Sequence, residues 1–339
     1  MEKEFKFSVW VRCLTYNQSL YILDALDGIC KQITNFPFVC TVVDDASTDS
    51  EPEVIKKYLF DNFEMNDSSI VRNEETENYH LLFARHKKNQ NCFFAVLFLK
   101  ENHYGKKSKW PYLIEWSENA DYHAICEGDD YWTDEHKLQR QVDYLENHPD
   151  CSAVSENGIE LFTETGEQKL FSEEPARYLT IEEMIEKRRF PTASILYRKD
   201  AFEIYKSVKN QLDTMLWCIL ATKGKFYYNA IVSSVYRRGP GVTVTLDPYK
   251  FAEMLKGLYG ELQSNFPHHL SKKEMKRIVI RSYIAAANRY IKKKSFTKEI
   301  LLCYKSGMTI SPCLFIHQLS KQYSTAIRRL LFKKKVTTN

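Results

Sequence analysis

Cys126-Glu127-Gly128-Asp129-Asp130-Tyr131-Trp132 is the stretch on which the reading of this 339-residue chain turns. The apolar run Tyr122 to Cys126 leads into it, carries a β-branched Ile125 and stops at a glycine, the signature of a strand that ends in a turn. A helical pattern follows, with Thr133 as its expected N-cap, Asp134 and Glu135 in its first turn, and Leu138, Val142 and Leu145 on one face. Glu127, Asp129 and Asp130 therefore fall on a tight turn at the carboxyl end of a strand, where open α/β sheets bind ligands. Carboxylates this close repel unless a cation or hydrogen-bond donors offset their charge. Two readings follow: a solvated acidic turn that caps a helix, or a divalent-cation site that presents a phosphorylated ligand.

Working outward, Val9 to Leu14 reads as a first strand, Thr15-Tyr16-Asn17-Gln18 as a polar turn and Leu20 to Lys31 as a helix. A second apolar run, Phe38 to Val43, ends in Asp44-Asp45-Ala46-Ser47-Thr48-Asp49, after which Ser50, Pro52 and Glu53 read as a capping box. This is the β-α-β grammar of a parallel sheet. Turn chemistry accounts for Ser47 to Asp49. A doubled Asp straight after a buried strand also suits acceptance from a nucleobase N–H or from ribose hydroxyls.

Residues 61 to 91 show no clear pattern, and Cys92 to Leu99 reads as a buried strand. The basic loop Asn102 to Lys107 reads as a solvated charged loop that could also approach a diphosphate, and Pro111 to Asn119 as a helix. Thr180 to Glu183 is a further capping box, Thr192 to Tyr197 a strand, and Leu212 to Trp217 the opening of an apolar helix in which Asp213 has an N-cap reading. Val232 to Arg238 reads as a strand that ends in Arg237-Arg238-Gly239-Pro240-Gly241. From Lys250 the pattern is helical and basic, with Val279, Tyr283, Ala286 and Tyr290 on one stripe.

Bulk properties narrow the classes. A net charge of +4 with abundant aromatics describes a globular chain, not a disordered one. No run of 18 apolar residues exists, and Met1 to Glu4 lead into no apolar core, so neither a membrane span nor a secretory signal is expected. Nine scattered cysteines without a C-x-x-C pair suit free thiols in a reducing cytoplasm and argue against zinc. The charge is asymmetric: residues 265 to 339 hold 17 Lys plus Arg against 2 Glu, or +15, which leaves 31 basic against 42 acidic residues, or −11, elsewhere. Arg328 to Lys335 mixes Leu330, Leu331 and Phe332 with five basic residues, as an interfacial helix does. No aromatic stacking platform or reading motif accompanies the charge, so an anionic membrane surface is the expected partner and nucleic acid is not.

Taken together, the motifs resemble those of the family 2 glycosyltransferases of the GT-A fold. The carriers are Thr15-Tyr16-Asn17, Val43 to Asp49, Glu127 to Trp132 and Asp213-x-x-x-Trp217, in that order, within roughly residues 7 to 240. The Glu-Gly-Asp-Asp-Tyr-Trp form is similar to a bacterial subgroup associated with surface polysaccharides. The resemblance implies a Rossmann-like, mostly parallel sheet flanked by helices over residues 1 to 245, with a basic helical appendage over residues 246 to 339. It implies an inverting, metal-dependent transfer of a sugar from a nucleotide sugar, UDP-linked, to a hydroxyl of a glycan or lipid-linked acceptor, at or near the inner face of the cell membrane. Residue by residue, it assigns base and ribose to Thr15, Tyr16, Asn17, Asp44 and Asp45. Ribose or metal-bound diphosphate goes to Asp129, the direct Mg2+ or Mn2+ contact to Asp130, and the catalytic base to Asp213. Two departures stand out. Glu127 occupies a position where many relatives have Asp. Arg237-Arg238-Gly239 stands where many carry a His, which makes Arg237 and Arg238 the candidates for neutralising diphosphate charge. A nucleotidyltransferase is the first alternative, although Cys13 to Leu20 lacks the glycine-rich phosphate loop expected there, and a non-catalytic nucleotide- or anion-binding module is the second.

Overall fold

The computed structural model describes residues 6–66, 71–239, 246–292 and 298–322. The chain divides into two compact units, Met1–Gly241 and Val242–Asn339.

The first unit is built on a twelve-stranded sheet among the described residues. Its centre is parallel: β1 (Phe7–Thr15) lies between β2 (Phe38–Asp44) and β6 (Ala120–Ile125), and β2 continues to β5 (Cys92–Leu99). The helix Ile22–Cys30 (α1) joins β1 to β2, and Glu51–Asn62 (α2) follows β2. Period-two alternation sorts these strands between two cores. Val9, Val11, Cys13, Phe38, Cys40 and Val42 pack with Ile22, Leu26, Ile55 and Leu59 on one face. Trp10, Val39, Val43, Phe93, Ala95 and Leu97 pack with Phe83 and Trp116 on the other. Strands covered on both faces read as continuous apolar runs, which is why they were visible in sequence.

The edges are antiparallel. The weakly patterned segment 61–91 supplies β3 (Arg72–Glu75) and β4 (Tyr79–Arg85), a hairpin added beside β5. On the other side come β7 (Tyr131–Trp132), β8 (Cys151–Phe162), β9 (Gln168–Leu170), β10 (Arg177–Leu179), β11 (Leu196–Arg198) and β12 (Lys225–Arg238). Here β8 and β12 run parallel, and β11 bridges β8 to β6 with antiparallel pairing to both. The carboxyl ends of β1, β2 and β6 and the end of β12 carry the loops that matter for function.

Several local expectations change. After the acidic turn the chain pairs briefly with β12 as β7, so the helix (Lys137–Asn147) begins three residues later than Thr133 would place it, with His136 at its N-cap and no side-chain cap bond. Ser50 does sit at the N-cap of α2 but makes no capping bond; Asp49 accepts from the Glu51 amide at 3.0 Å instead. Residues Thr192–Ser194 form a 3₁₀ turn, and the strand starts only at Leu196. The Thr180–Glu183 capping box is present with both reciprocal bonds. All nine cysteines are free, eight of them buried.

In the second unit, helices Pro248–Asn265, Lys272–Lys292 and Lys298–Ile310 pack around Val279, Tyr283, Ala286 and Tyr290, the stripe read from sequence. Residues 312–322 are also helical. Arg328 to Lys335 and Pro240-Gly241 lie outside the described residues. No helix among the described residues is long and apolar enough to cross a membrane.

Two glycines should respond oppositely to alanine. A Cβ at Gly28 on α1 would lie 2.6 Å from the Trp132 carbonyl oxygen and 2.9 Å from its amide nitrogen, both backbone atoms that cannot yield. Gly28→Ala should destabilise by roughly 1–3 kcal/mol. A Cβ at Gly260, within a helix, meets nothing within 4 Å. Gly260→Ala should stabilise by about 0.5–1 kcal/mol through helix propensity. Denaturant melts of both variants check the pair, and the same sign for both would refute the packing argument.

Candidate active site

The carboxyl ends of β1, β2 and β6 meet through backbone-close contacts. Gly128 lies so near Thr15 that a Cβ there would stand 2.2 Å from the threonine Oγ1. Only glycine lets the acidic turn settle onto the end of β1. Glu127 then reaches across the sheet: its Oε1 accepts from Arg12 Nη2 at 2.7 Å and its Oε2 from the Leu14 amide at 2.7 Å. Burial works to lower the Arg12 pKa, but the charge of Glu127, with smaller contributions from Tyr205, Tyr197 and Asp213, outweighs it and the guanidinium is held charged. This explains the residue that departs from the common Asp. The longer glutamate arm bridges β1 and the turn.

Beside it, Asp129 is half-buried and Asp130 is buried. Burial raises the Asp129 carboxyl to about 6, with the charge of Glu127 adding to the shift. Asp130 is pushed well above the ordinary range, first by burial and then by Asp129. Its Oδ1 accepts from the Arg237 amide at 2.9 Å. Arg237 is itself buried: Nη1 donates to the Asp129 carbonyl at 2.9 Å, Nη2 to the Asp24 carboxylate, and the guanidinium lies 4.5 Å over Tyr131 and 5.0 Å over Tyr21. Arg238 pairs instead with Glu160, its Nε at 3.0 Å.

At the ends of β1 and β2, Thr15 is buried and donates to Glu51, while Tyr16 is 42% exposed. Asn17 adopts a left-handed φ of 54°, which asparagine tolerates. Its amide donates to Ser47 Oγ at 2.9 Å and its side-chain oxygen accepts from the Thr48 amide at 2.8 Å, binding the two loops together. Asp44 is buried; burial raises it to about 6 against the opposing bonds from Ser47. Asp45 is fully engaged: it accepts from the His103 amide at 2.8 Å and pairs with Lys109 Nζ at 2.8 Å. The basic loop after β5 thus folds onto the second Asp of the pair.

Asp213 is the first residue of the helix Asp213–Lys223, with Leu212 at the N-cap and no side-chain cap bond. The N-cap reading therefore does not hold. Its Oδ2 accepts from Thr192 Oγ1 at 2.6 Å, and that hydroxyl oxygen in turn accepts from Arg188 Nη2 at 2.7 Å. The turn that carries Thr192 is fastened to the acidic motif, because Trp132 Nε1 donates to the Ala193 carbonyl at 2.6 Å.

Four participants were not legible in sequence. Glu51 is wholly buried and gathers Thr15, the Gln18 amide at 2.9 Å and Ser47 Oγ at 2.8 Å, yet in sequence it is an ordinary first-turn acid. Lys137 is wholly buried 4.3 Å over the Trp132 ring and donates to Gln141 at 2.8 Å; burial lowers it to about 8. Arg188 lies between recognisable elements, and Thr192, read from sequence as the first residue of a strand, carries no local signal of a site role.

Oxygen donors at Asp129 and Asp130 suit a hard divalent cation. No group of three or more His, Cys, Asp or Glu among the described residues is placed to hold a metal. A pair of carboxylates that shares its ion with substrate phosphates fits this donor set, as Mg2+ sites commonly do.

Comparison with known proteins identifies the family and the fold. The model of glycosyl transferase family 2 matches residues 13–205, more than half of the chain. The chain belongs to glycosyl transferase family 2. The matched segment holds the acidic turn, Arg188 and Thr192, and ends before Asp213. Uncharacterized proteins of Mycobacterium tuberculosis and Mycobacterium bovis are 29% identical to it over 230 residues, covering 66% of this chain and 57% of theirs. The chain thus spans little more than half the length of these curated relatives. Among solved structures, S. aureus TarS residues 1–349 in complex with UDP is similar with a TM-score of 0.51 and 16% identity over 84% of this chain and 72% of that one. A second structure of S. aureus TarS residues 1–349 gives 0.53 and 14% over 89% and 79%. At such identities the likeness is one of fold, and it agrees with the GT-A class.

Burial of Asp44 sets a stability test. Its folded-state pKa of about 6 exceeds the ordinary 3.8, so the unfolded chain releases this proton at lower pH than the folded one. Stability then falls as pH rises between those values, by up to about 3 kcal/mol once both states are ionised. Asp44→Asn should gain little near pH 4 and stabilise increasingly up to pH 7, read as the midpoint difference from wild type across pH. A gain independent of pH would contradict the buried charge.

Proposed function

We propose that the chain is an inverting glycosyltransferase that moves a sugar from a nucleotide sugar to a hydroxyl of a glycan or lipid-linked acceptor, in surface-polysaccharide synthesis. The observation that carries this reading is the state of Asp213. It makes no capping bond, and the Thr192 turn that orients it is tied by Trp132 to the acidic turn. One carboxylate beside an acidic pair suits direct displacement, in which a base takes the acceptor's proton as its oxygen attacks the anomeric carbon. A positioned carboxylate of this kind typically contributes ~10²–10⁴-fold.

The remaining residues take roles around that step. Tyr16, exposed at the end of β1, offers a ring to the nucleobase, with Thr15 and Asn17 shaping the loop beneath it. Asp44 and Asp45 face the ribose and base, and Lys109 pairs with Asp45 while the donor is absent. Asp130, with Asp129, would hold Mg2+ or Mn2+ together with the donor diphosphate, where such an ion stabilises the departing charge as a Lewis acid. Arg237 holds the acidic turn through the Asp129 carbonyl and the Asp130 carboxylate, and Arg238 is taken up by Glu160. UDP is the nucleotide first to be tested, since the TarS fragment of similar fold was crystallised with it.

Asp213→Asn should leave UDP affinity within about twofold and lower turnover by ~10²-fold or more, whereas Asp130→Ala should abolish the Mn2+-dependent part of UDP binding. Calorimetry and UDP release from a panel of UDP-sugars check both. Release of pyrophosphate instead would point to nucleotidyl transfer, and near-normal turnover of Asp213→Asn would remove it from the chemistry.

The C-terminal unit is proposed to rest on an anionic membrane surface at the inner face of the cell membrane. Support comes from the +15 balance of residues 265–339 and from Leu301 and Ile316, 69% and 62% exposed on helical segments that also present Lys298, Lys305 and Lys321. Full-length protein should pellet with vesicles of phosphatidylglycerol at low salt, and protein truncated after Gln322 clearly less. Equal pelleting of both forms, or of neither, would reject a role for the tail.

A further inference from the structure

The cations around the acidic turn are nearly all committed. Arg12 is held by Glu127, Arg237 by Asp24 and the Asp129 carbonyl, Arg238 by Glu160, and Lys109 by Asp45. Lys137 is wholly buried behind Trp132. Arg188 differs. It is exposed and forms no ion pair among the described residues. Yet its guanidinium is not loose: it lies 4.5 Å over the Tyr236 ring and 5.6 Å from that of Phe171, and donates to Thr192 Oγ1 at 2.7 Å. Tyr236 precedes Arg237, whose amide holds Asp130. The segment that carries Arg188 is pressed onto the sheet, since a Cβ at Gly158 would lie 2.6 Å from Pro191 and 2.7 Å from the Ser234 carbonyl oxygen. An aromatic shelf and one hydrogen bond thus hold a guanidinium with unused donors between Asp213 and the acidic turn.

We propose that Arg188 is the protein's cation for the diphosphate of the donor, taking the place that sequence comparison had offered to Arg237 and Arg238. A planar guanidinium matches two phosphate oxygens at once and keeps its charge at any working pH. Its field already reaches the acidic turn, where it lowers the pKa of both Asp129 and Asp130 against the stronger effect of burial. The bond to Thr192 gives the same residue a link to Asp213, so donor binding and base orientation share one turn. This assignment rests on the glycosyltransferase reading above.

Calorimetry on the full-length protein with UDP and UMP, and with GDP and GMP, each with Mn2+, separates the two. In wild type the diphosphate should bind more tightly than the monophosphate. Arg188→Ala should weaken UDP by on the order of tenfold or more, leave UMP within about twofold, and keep the wild-type melting temperature because the side chain is exposed; Arg188→Lys should recover part of the loss. Thr192→Val should leave the UDP affinity intact while lowering turnover. If Arg188→Ala binds UDP as wild type does and loses only turnover, Arg188 acts through Thr192 and Asp213, and the diphosphate assignment is wrong. If wild type binds none of the four nucleotides, the glycosyltransferase reading itself falls.

Discussion

The bridge from Glu127 to Arg12 and to the Leu14 amide is the interaction on which the rest of the site depends. It joins the end of the central strand to the turn that leaves its neighbour. A buried ion pair is a weak source of net stability, because desolvation offsets much of the attraction, but removing one partner strands a charge in the interior. The pair therefore acts on specificity of arrangement: with Arg12 seated in the sheet, the turn has one position in which Glu127 can satisfy it. Gly128 makes that position sterically accessible by allowing contact with Thr15, and Glu51 holds Thr15 from the other side.

From that fixed turn, a line of contacts runs to the candidate base. Trp132 hydrogen-bonds the turn Thr192–Ser194, Thr192 bonds Asp213, and Gln141 donates to the Ser194 carbonyl at 2.7 Å from the helix that also carries Lys137. The tryptophan of the acidic motif thus serves geometry rather than ligand binding: buried against Lys137, it spends its one N–H on the loop that orients Asp213. A site assembled this way places the candidate base and an acidic pair on different elements yet holds them through side chains that are themselves packed, which is what preorganisation requires.

The raised carboxyls are the energetic counterpart. Asp44, Asp129 and Asp130 are all displaced upward, with burial as the leading cause each time. Groups of one sign gathered out of water destabilise the free protein and favour a cationic or hydrogen-bonding ligand that relieves them. Such perturbed clusters concentrate at functional sites. Ala46, at a left-handed φ of 58° without the side-chain compensation available to asparagine, adds backbone strain in the same loop.

The sequence alone determined the parallel core, because strands buried on both faces must be apolar throughout and because Asp and Gly mark the turns at their ends. It located Asp45, Asp129, Asp130 and Asp213 at element boundaries for the same reason. Local pattern failed at Thr133 because the deciding partner was distant, β12 claiming the residues after the acidic turn; at Ser50 two capping side chains stood side by side and Asp49 claimed the α2 amide. Only the tertiary structure decided that Glu127 answers Arg12, that Glu51 is buried among hydroxyls, that Arg237 faces inward while Arg188 pairs with no carboxylate among the described residues, and that Asp213 bonds a threonine instead of its own helix. The bonds Glu127–Arg12, Glu51–Thr15, Arg237–Asp24 and Asp213–Thr192 join residues 21 to 213 positions apart, and no periodicity along the chain encodes such a choice.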